Sequence, residues 1–203
     1  MSEQDEVTQR RRAEIIAAAL KVFAEKGYHH SGIADIAREL GLGHGTFYRY
    51  FANKRDILTH VIAHTKQRLA EVVAGERPTA ADSIEEYRDQ FERLGHGMFD
   101  LLIDDPQMVR LLFVESFAAD PELTASTLAF FELTGKTVAR YLENGVSKGF
   151  LRADLDTEAT GRCITGVIFA GALSLLSSPD PKQTRDRTVA AMSALMFEGV
   201  APR

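Results

Sequence analysis

The sequence predicts an all-α protein, with an N-terminal three-helix head of the helix-turn-helix kind and a C-terminal bundle of about six helices. Three observations predict it. Apolar residues recur at helical spacing along most of the 203 residues. Alternating β-branched runs are scarce, whereas the helix formers Ala, Leu, Glu and Arg are plentiful. Glycines and Asp-Pro pairs punctuate the pattern where helices must start and stop.

In chain order, residues 10–26 carry Ile15, Ile16, Ala19, Leu20, Val22 and Phe23 on one stripe, and Gly27 is placed to cap that helix at positive φ. Ser31 or Gly32 starts a short helix, Ile33 to Leu40, which Gly41 ends. A third helix begins near His44, "FANK" at 51–54 breaks the pattern, and a long fourth helix runs over 54–74. The segment "GERPTAADS" (75–83) reads as a linker. Helices are then expected at about 81–103, 106–117, 121–148, 157–177 and 182–198. Asp105-Pro106, Asp120-Pro121 and Asp180-Pro181 supply a cap followed by Pro in the first turn, and Asp156 starts a helix similarly.

Charge is unevenly spread. The chain totals −5, yet Thr8 to Arg55 holds nine basic and four acidic residues, a net +5, so the remainder sums to −10. A basic head on an acidic body suits a head that meets a polyanion. Cys163 is the single cysteine, so no intrachain disulfide forms; it reads as buried packing. The N-terminus is polar, and the longest nearly apolar run, 13 residues from Ile164, is short of the roughly 20 that span a bilayer. These features point to the cytoplasm.

Within Ile33–Phe51, "IADIARELGLGHGTFYRYF", Ile36 and Leu40 face inward one turn apart, and Ala37 is small where a helix must cross. Gly41 serves the tight turn, Leu42 plugs it, and Phe47 anchors the next helix. The stretch Gly27-Tyr28, Ser31-Gly32, Ile36-Ala37, Gly41, Gly45-Thr46, Tyr48-Arg49-Tyr50-Phe51 and Lys54 resembles the DNA-binding head of the tetracycline-repressor (TetR-like) family of bacterial regulators. The resemblance covers roughly Arg10 to Leu58. The chain departs from that pattern at Gly32 and Gly43, where hydroxyl residues are usual, and at His44, where Lys or Arg is frequent.

The resemblance implies a DNA-binding domain over 1–53 and a ligand-binding and dimerisation domain over 54–203, with helix 54–74 linking them. The helix starting at His44 is expected to enter the major groove, with Gly45 allowing close backbone approach. His44, Thr46, Tyr48 and Arg49 are candidates for base edges or nearby phosphates, and Arg49 fits a guanine edge best. Ser31, Gly32, the Tyr50 hydroxyl and Lys54 are candidates for phosphate. Arg10-Arg11-Arg12 either reach DNA or form a solvated helix start. Tyr28 and Phe51 read as core.

In the body, a stripe at Ile84, Tyr87, Phe91, Leu94, Met98 and Leu101/Leu102 faces inward. Phe91, Met98, Phe113, Phe117, Phe131, Thr134 and Tyr141 are candidates for an apolar effector pocket, against the plainer reading of a bundle core. The stretch "GVIFAGALSLL" is apolar all round, and with the last helix it offers Gly166, Ala170, Leu173, Met192 and Met196 as a homodimer interface. His60 and His64 stand at i, i+4, a spacing metals use, but no further ligands complete a site. No cofactor or metal is expected, nor any nucleophile-and-base set of an enzyme. The partners implied are double-stranded operator DNA, a small apolar or aromatic effector and a second copy of the chain, with no membrane. The expected function is a ligand-released repressor; the alternative is a helical ligand-binding or adaptor protein without DNA binding.

"LGHGTF" (42–47) and "LGHGMF" (94–99) share five of six letters. The first lies at the expected turn. The second lies inside a long helix, where each Gly costs about 1 kcal/mol relative to Ala, so a bend or a tight crossing is expected at Gly95–Gly97, with His96 paired to Glu92.

Two outcomes check the head. Arg49→Ala and Tyr50→Phe should each weaken binding to the selected operator in a gel shift. The protein should be retained on mixed-sequence DNA at low salt and released at high salt.

Overall fold

The computed structural model describes residues 3–198, apart from the side chains of Glu3, His44 and Ala118. Among the described residues there is no strand, so the all-α fold is as expected. The helices are α1 (Glu3–Lys26), α2 (Ile33–Glu39), α3 (His44–Phe47), α4 (Lys54–Ala74), α5 (Ile84–Asp104) and α6 (Pro106–Arg110). A π-helical turn, Leu111–Glu115, joins α6 to α7 (Ser116–Ala119). Then follow α8 (Pro121–Lys148), α9 (Thr157–Ser174) with a 3-10 turn Leu175–Ser177, and α10 (Pro181–Phe197).

Two compact units result. One holds residues 1–67 and 107–125, the other 68–106 and 126–203. The head expected over 1–53 lies wholly in the first, which also takes the start of α4 and the α6–α7 segment. α4 and α8 contribute residues to both units.

The first unit is built on a core of fully buried side chains: Ile15, Ala19, Phe23, Ile36, Phe47, Ile57 and Leu58. Gly27 (φ 79°) and Gly41 (φ 63°) both adopt the left-handed conformation expected of them. The third helix is much shorter than its sequence suggests. Only four residues are α-helical, and Tyr50 N–H already bonds Phe47 O in a tighter i→i+3 turn. Arg55 binds Asp120 (2.9 Å) and Glu122 (2.6 Å), tying the start of α4 to the start of α8.

In the second unit, glycines let helices cross closely, among them Gly95, Gly97 and Gly161. A Cβ at Gly95 would meet the Val189 methyls of α10 at 3.3 Å, one at Gly97 would meet Val72 of α4 at 3.2 Å, and one at Gly161 would stand 2.5 Å from Gly135 O of α8. The expected tight crossing at Gly95–Gly97 is therefore present, and α5 continues through it as helix. His96 does not pair with the Glu92 side chain. Its Nδ1 lies 2.8 Å from the Glu92 backbone carbonyl, and the Glu92 carboxylate accepts from Ser193 Oγ at 2.6 Å. α5 starts three residues later than expected because Ser83 caps it, accepting from Glu86 N–H. Asp120, Asp156 and Asp180 cap α8, α9 and α10 by accepting the N–H three residues on.

Cys163 is exposed, not buried. It lies on α9, whose helix and 3-10 extension make a 21-residue stretch, Thr157–Ser177, containing an 18-residue window of mean hydropathy 1.5. By length and composition that stretch meets the requirement of a membrane span, which the 13-residue run did not suggest. Gly161, Thr165, Gly171 and Ala172 are buried within the bundle, Ile164, Ile168, Phe169 and Leu173 are partly buried, and Val167, Ala170 and Leu176 are exposed.

Gly161→Ala should cost about 1–3 kcal/mol in urea unfolding, because the new methyl has to push the α8 backbone away rather than a flexible side chain. A variant as stable as the parent would contradict this crossing.

Candidate nucleic-acid interface and effector cavity

The candidate interface is built from α2, the Gly41–Gly43 turn and α3. α2 has seven residues and α3 four, too few to be stable alone, so their placement comes from what they bury. Phe47 is fully buried and Phe51 nearly so, with ring centroids 6.0 Å apart. That anchoring turns the neighbouring Tyr48, 55% exposed, and Arg49 outward. Arg49 lies over the Tyr50 ring (5.1 Å to the centroid) and donates to the Tyr50 hydroxyl at 3.0 Å. The structure thus joins two of the candidate DNA contacts into one unit. A Cβ at Gly45 would meet nothing within 4 Å, so packing inside the protein does not require glycine there. α3 begins at His44, whose side chain lies outside the described residues. Thr46, partly exposed, follows Gly45.

Two of the candidates face inward. Ser31 is 7% exposed and donates to Tyr28 O at 2.9 Å, so its hydroxyl is engaged within the head rather than offered to phosphate. Lys54 is partly buried; its ammonium donates to Tyr28 O and to Ser31 O (2.7 Å) and sits 4.2 Å from the Tyr28 ring centroid. Burial lowers its pKa from the ordinary lysine value, and the Asp35 charge partly restores it. Gly32 caps α2 through its backbone, with Asp35 accepting the Gly32 N–H at 2.9 Å. The Lys26 hydrogen bond, aided by that Gly32 amide, holds the Asp35 carboxyl below the usual carboxylate range.

The basic run splits into two local pairs and one long-range brace. Arg10 and Arg11 pair with Glu14. Arg12 donates to Tyr50 O (2.6 Å), stacks 4.5 Å over Phe51 and meets His60 Nε2 at 3.0 Å. His60 Nδ1 faces Asp56 O at 2.8 Å, so His60 serves as a brace within the head. The spacing of Arg12 to Tyr50, 38 residues, hid that role from the sequence.

The second unit contains a partly open cavity of about 80 Å³, lined on α5 by Tyr87, Phe91, Leu94 and Met98 and elsewhere by residues of α4, α8, α9 and α10. Of the expected pocket residues, Phe91, Met98, Thr134 and Tyr141 line it. Phe113 and Phe117 do not: both belong to the other unit, on the α6–α7 segment that sequence reasoning counted with the body. Phe131 is also outside the lining and packs edge-on against Phe169, centroids 5.3 Å apart. Tyr87 was named in the α5 stripe and belongs to the wall, as does Met192, which had been assigned to a dimer face.

The wall is almost wholly apolar, and three of its hydroxyls are engaged elsewhere. Thr134 and Thr137 donate to Phe130 O and Leu133 O, and Tyr141 donates to Glu76 O at 3.1 Å. Burial raises the pKa of Tyr87 and Tyr141, which keeps both phenols neutral. The cavity is far smaller than the several hundred Å³ of typical ligand sites. An occupant has to spread the wall, and unbranched Met98 and Met192 are the side chains best able to yield.

Outside the cavity, α9 and α10 form an open groove of about 420 Å³ lined by Val167, Ala170, Gly171, Ala191, Met192 and Leu195. Ala170 lines this groove and is exposed, and Gly166 is exposed on α9, whereas Leu173 is half-buried and Met192 is buried. Met196 packs against the buried Tyr87–Tyr141–Leu142 cluster, because its position on α10 turns it toward α5 and α8.

Residues 15–61 match the family described as bacterial regulatory proteins, tetR family. A fatty acid metabolism regulator protein of Bacillus subtilis is 30% identical over 158 residues, covering 76% of this chain and 78% of that protein. The transcriptional activator FasR of Mycolicibacterium smegmatis is 28% identical over 57% of this chain and 51% of its own length. Among solved structures, the Bacillus subtilis regulator FadR in complex with stearoyl-CoA superposes with a TM-score of 0.78 at 23% identity, covering 93% of this chain and 99% of that one. The FadR of Bacillus halodurans gives 0.79 at 23% identity, covering 95% and 97%. A head of this geometry, together with a relative 30% identical over more than three quarters of both chains, shows that the protein belongs to the TetR family of bacterial transcriptional regulators.

Proposed function

We propose that the protein is a homodimeric repressor that binds a near-palindromic operator through its heads and is released by an effector carrying a long hydrocarbon chain. The observation that carries the effector half is the cavity wall: apolar, aromatic, and with the hydroxyls of Thr134, Thr137 and Tyr141 already bonded to backbone. Such a wall rewards burial of methylene groups, at about 0.8 kcal/mol each, and offers little to a polar group. The relative named as a fatty acid metabolism regulator, and the stearoyl-CoA complex of a similarly folded regulator, support the same ligand class.

On the head, Thr46, Tyr48 and Arg49 are the proposed base readers, and the Tyr50 hydroxyl and the third Lys54 proton the phosphate contacts. The uncovered apolar groove of α9 and α10, with Leu195 51% exposed, is the proposed dimer face. Two-fold pairing there would set two recognition helices about one DNA turn apart. An effector that prefers one disposition of the heads shifts the equilibrium by its differential affinity, and about 1–3 kcal/mol of coupling changes operator affinity about 5- to 150-fold.

The test begins by selecting bound DNA from a random pool and titrating the complex with stearoyl-CoA, stearic acid and short-chain analogues. Long chains should release the DNA and short chains should not. Equal effects of all lengths would remove the hydrocarbon-chain reading. Failure to bind DNA at every salt concentration would favour an adaptor role instead. Leu195→Arg should convert the dimer to monomer in sedimentation and weaken operator binding; a fully dimeric variant would move the interface elsewhere. A reporter gene behind the operator should be repressed without effector.

A further inference from the structure

We infer that Glu115 is a positioning residue for DNA binding: its buried carboxylate, aimed by the π-helical turn Leu111–Glu115, holds the α1–α2 loop and so sets where α2 and the recognition turn lie. This rests on the operator-binding reading above. Glu115 is only 7% exposed, and a buried charge persists where it is paired and hydrogen-bonded. Its Oε2 accepts the Tyr28 N–H at 2.8 Å. Arg110 Nε stands 3.6 Å from Oε1 as its counter-charge. Both carboxylate oxygens lie 3.7 Å from where a Cβ would stand on Gly27, so the carboxylate sits in the bend of the loop.

The loop is held from two sides by opposite charges. The Lys54 ammonium takes the carbonyls of Tyr28 and Ser31, and the Glu115 carboxylate takes the Tyr28 amide. Gly27 at φ 79° makes the bend, and Gly32, the N-cap of α2, follows directly after Ser31. α2 is too short to set its own entry angle. It passes its position on through the turn, where Leu42 N–H bonds Ala37 O at 2.9 Å, to the start of α3.

The π turn explains how Glu115 reaches the loop. Ser116 N–H bonds Leu111 O, an i→i+5 closure. In plain α geometry each residue advances about 100° around the axis, so without the extra residue of the π turn the Glu115 side chain would leave this face. Such turns recur at functional sites.

The experiment compares Glu115→Gln, Glu115→Asp and Glu115→Ala by gel shift on the selected operator, with amide exchange at Tyr28. Gln keeps an acceptor at the same reach, so it should bind within about threefold of the parent. Asp keeps the charge but withdraws the acceptor by one methylene. Asp and Ala should therefore both weaken the operator complex about tenfold and speed exchange at the Tyr28 amide, while the buried amides of α1 stay protected. A merely structural role would loosen α1 as well. Operator affinity unchanged in Asp and Ala would overturn the inference, as would Asp binding like the parent while Gln binds like Ala, since charge rather than position would then matter. If the parent itself binds no DNA at any salt, the operator reading falls and this inference with it.

Discussion

The exposed reading surface of the head depends on burying the rings of Phe23, Phe47 and Phe51. A four-residue α3 and a seven-residue α2 have no helical stability of their own. They exist because Phe47 and Phe51 bury their rings, Phe51 between Arg12 of α1 and His60 of α4, in a head whose Ile15, Ile36, Ile57 and Leu58 are fully buried as well. Once Phe47 points in, helical geometry turns Tyr48 and Arg49 out. Exposure of the reading residues is thus a consequence of the anchor's burial.

Polar braces then fix what the core leaves free. Arg12 binds the Tyr50 carbonyl and stacks on Phe51. Lys54 gathers two loop carbonyls, Glu115 takes the loop amide, and Arg55 binds Asp120 and Glu122. Arg12, Lys54 and Glu115 hold backbone, and Arg55 holds the Asp120 cap of α8 together with the exposed Glu122 carboxylate. Two of these braces come from the α6–α7 segment and the start of α8, which is why residues 107–125 are counted with the head although they follow α5 in sequence.

The body follows a different rule. Its helices approach closely where glycine removes a side chain, at Gly95 against Val189 and at Gly161 against Gly135. Close crossings at those points leave longer side chains to meet around a small residual cavity, where Thr134 and Thr137 bond the preceding turn of their own helix and Tyr141 bonds the Glu76 carbonyl. The interior becomes apolar by internal hydrogen bonding, not by lacking polar residues.

The sequence by itself determined the all-α class, most helix boundaries, the Asp-Pro and glycine punctuation, the head with its turn, and the need for a close crossing at Gly95–Gly97. These are local signals of periodicity, capping and φ preference, legible within a dozen residues. Only the tertiary structure decided that Ser31 and Lys54 bond to carbonyls of the α1–α2 loop, that Arg12 reaches the Tyr50 carbonyl, that Phe113 and Phe117 do not line the cavity, and that Cys163 is exposed. Each of these depends on which helix face meets which partner across tens of residues. Aromatics at helical spacing look alike whether they line a cavity or fill a core, and a buried lysine or glutamate reads like any surface charge until its partner is in view. Glu115 shows this most clearly: nothing beside it in sequence distinguishes it, and its meaning comes from an amide 87 residues away.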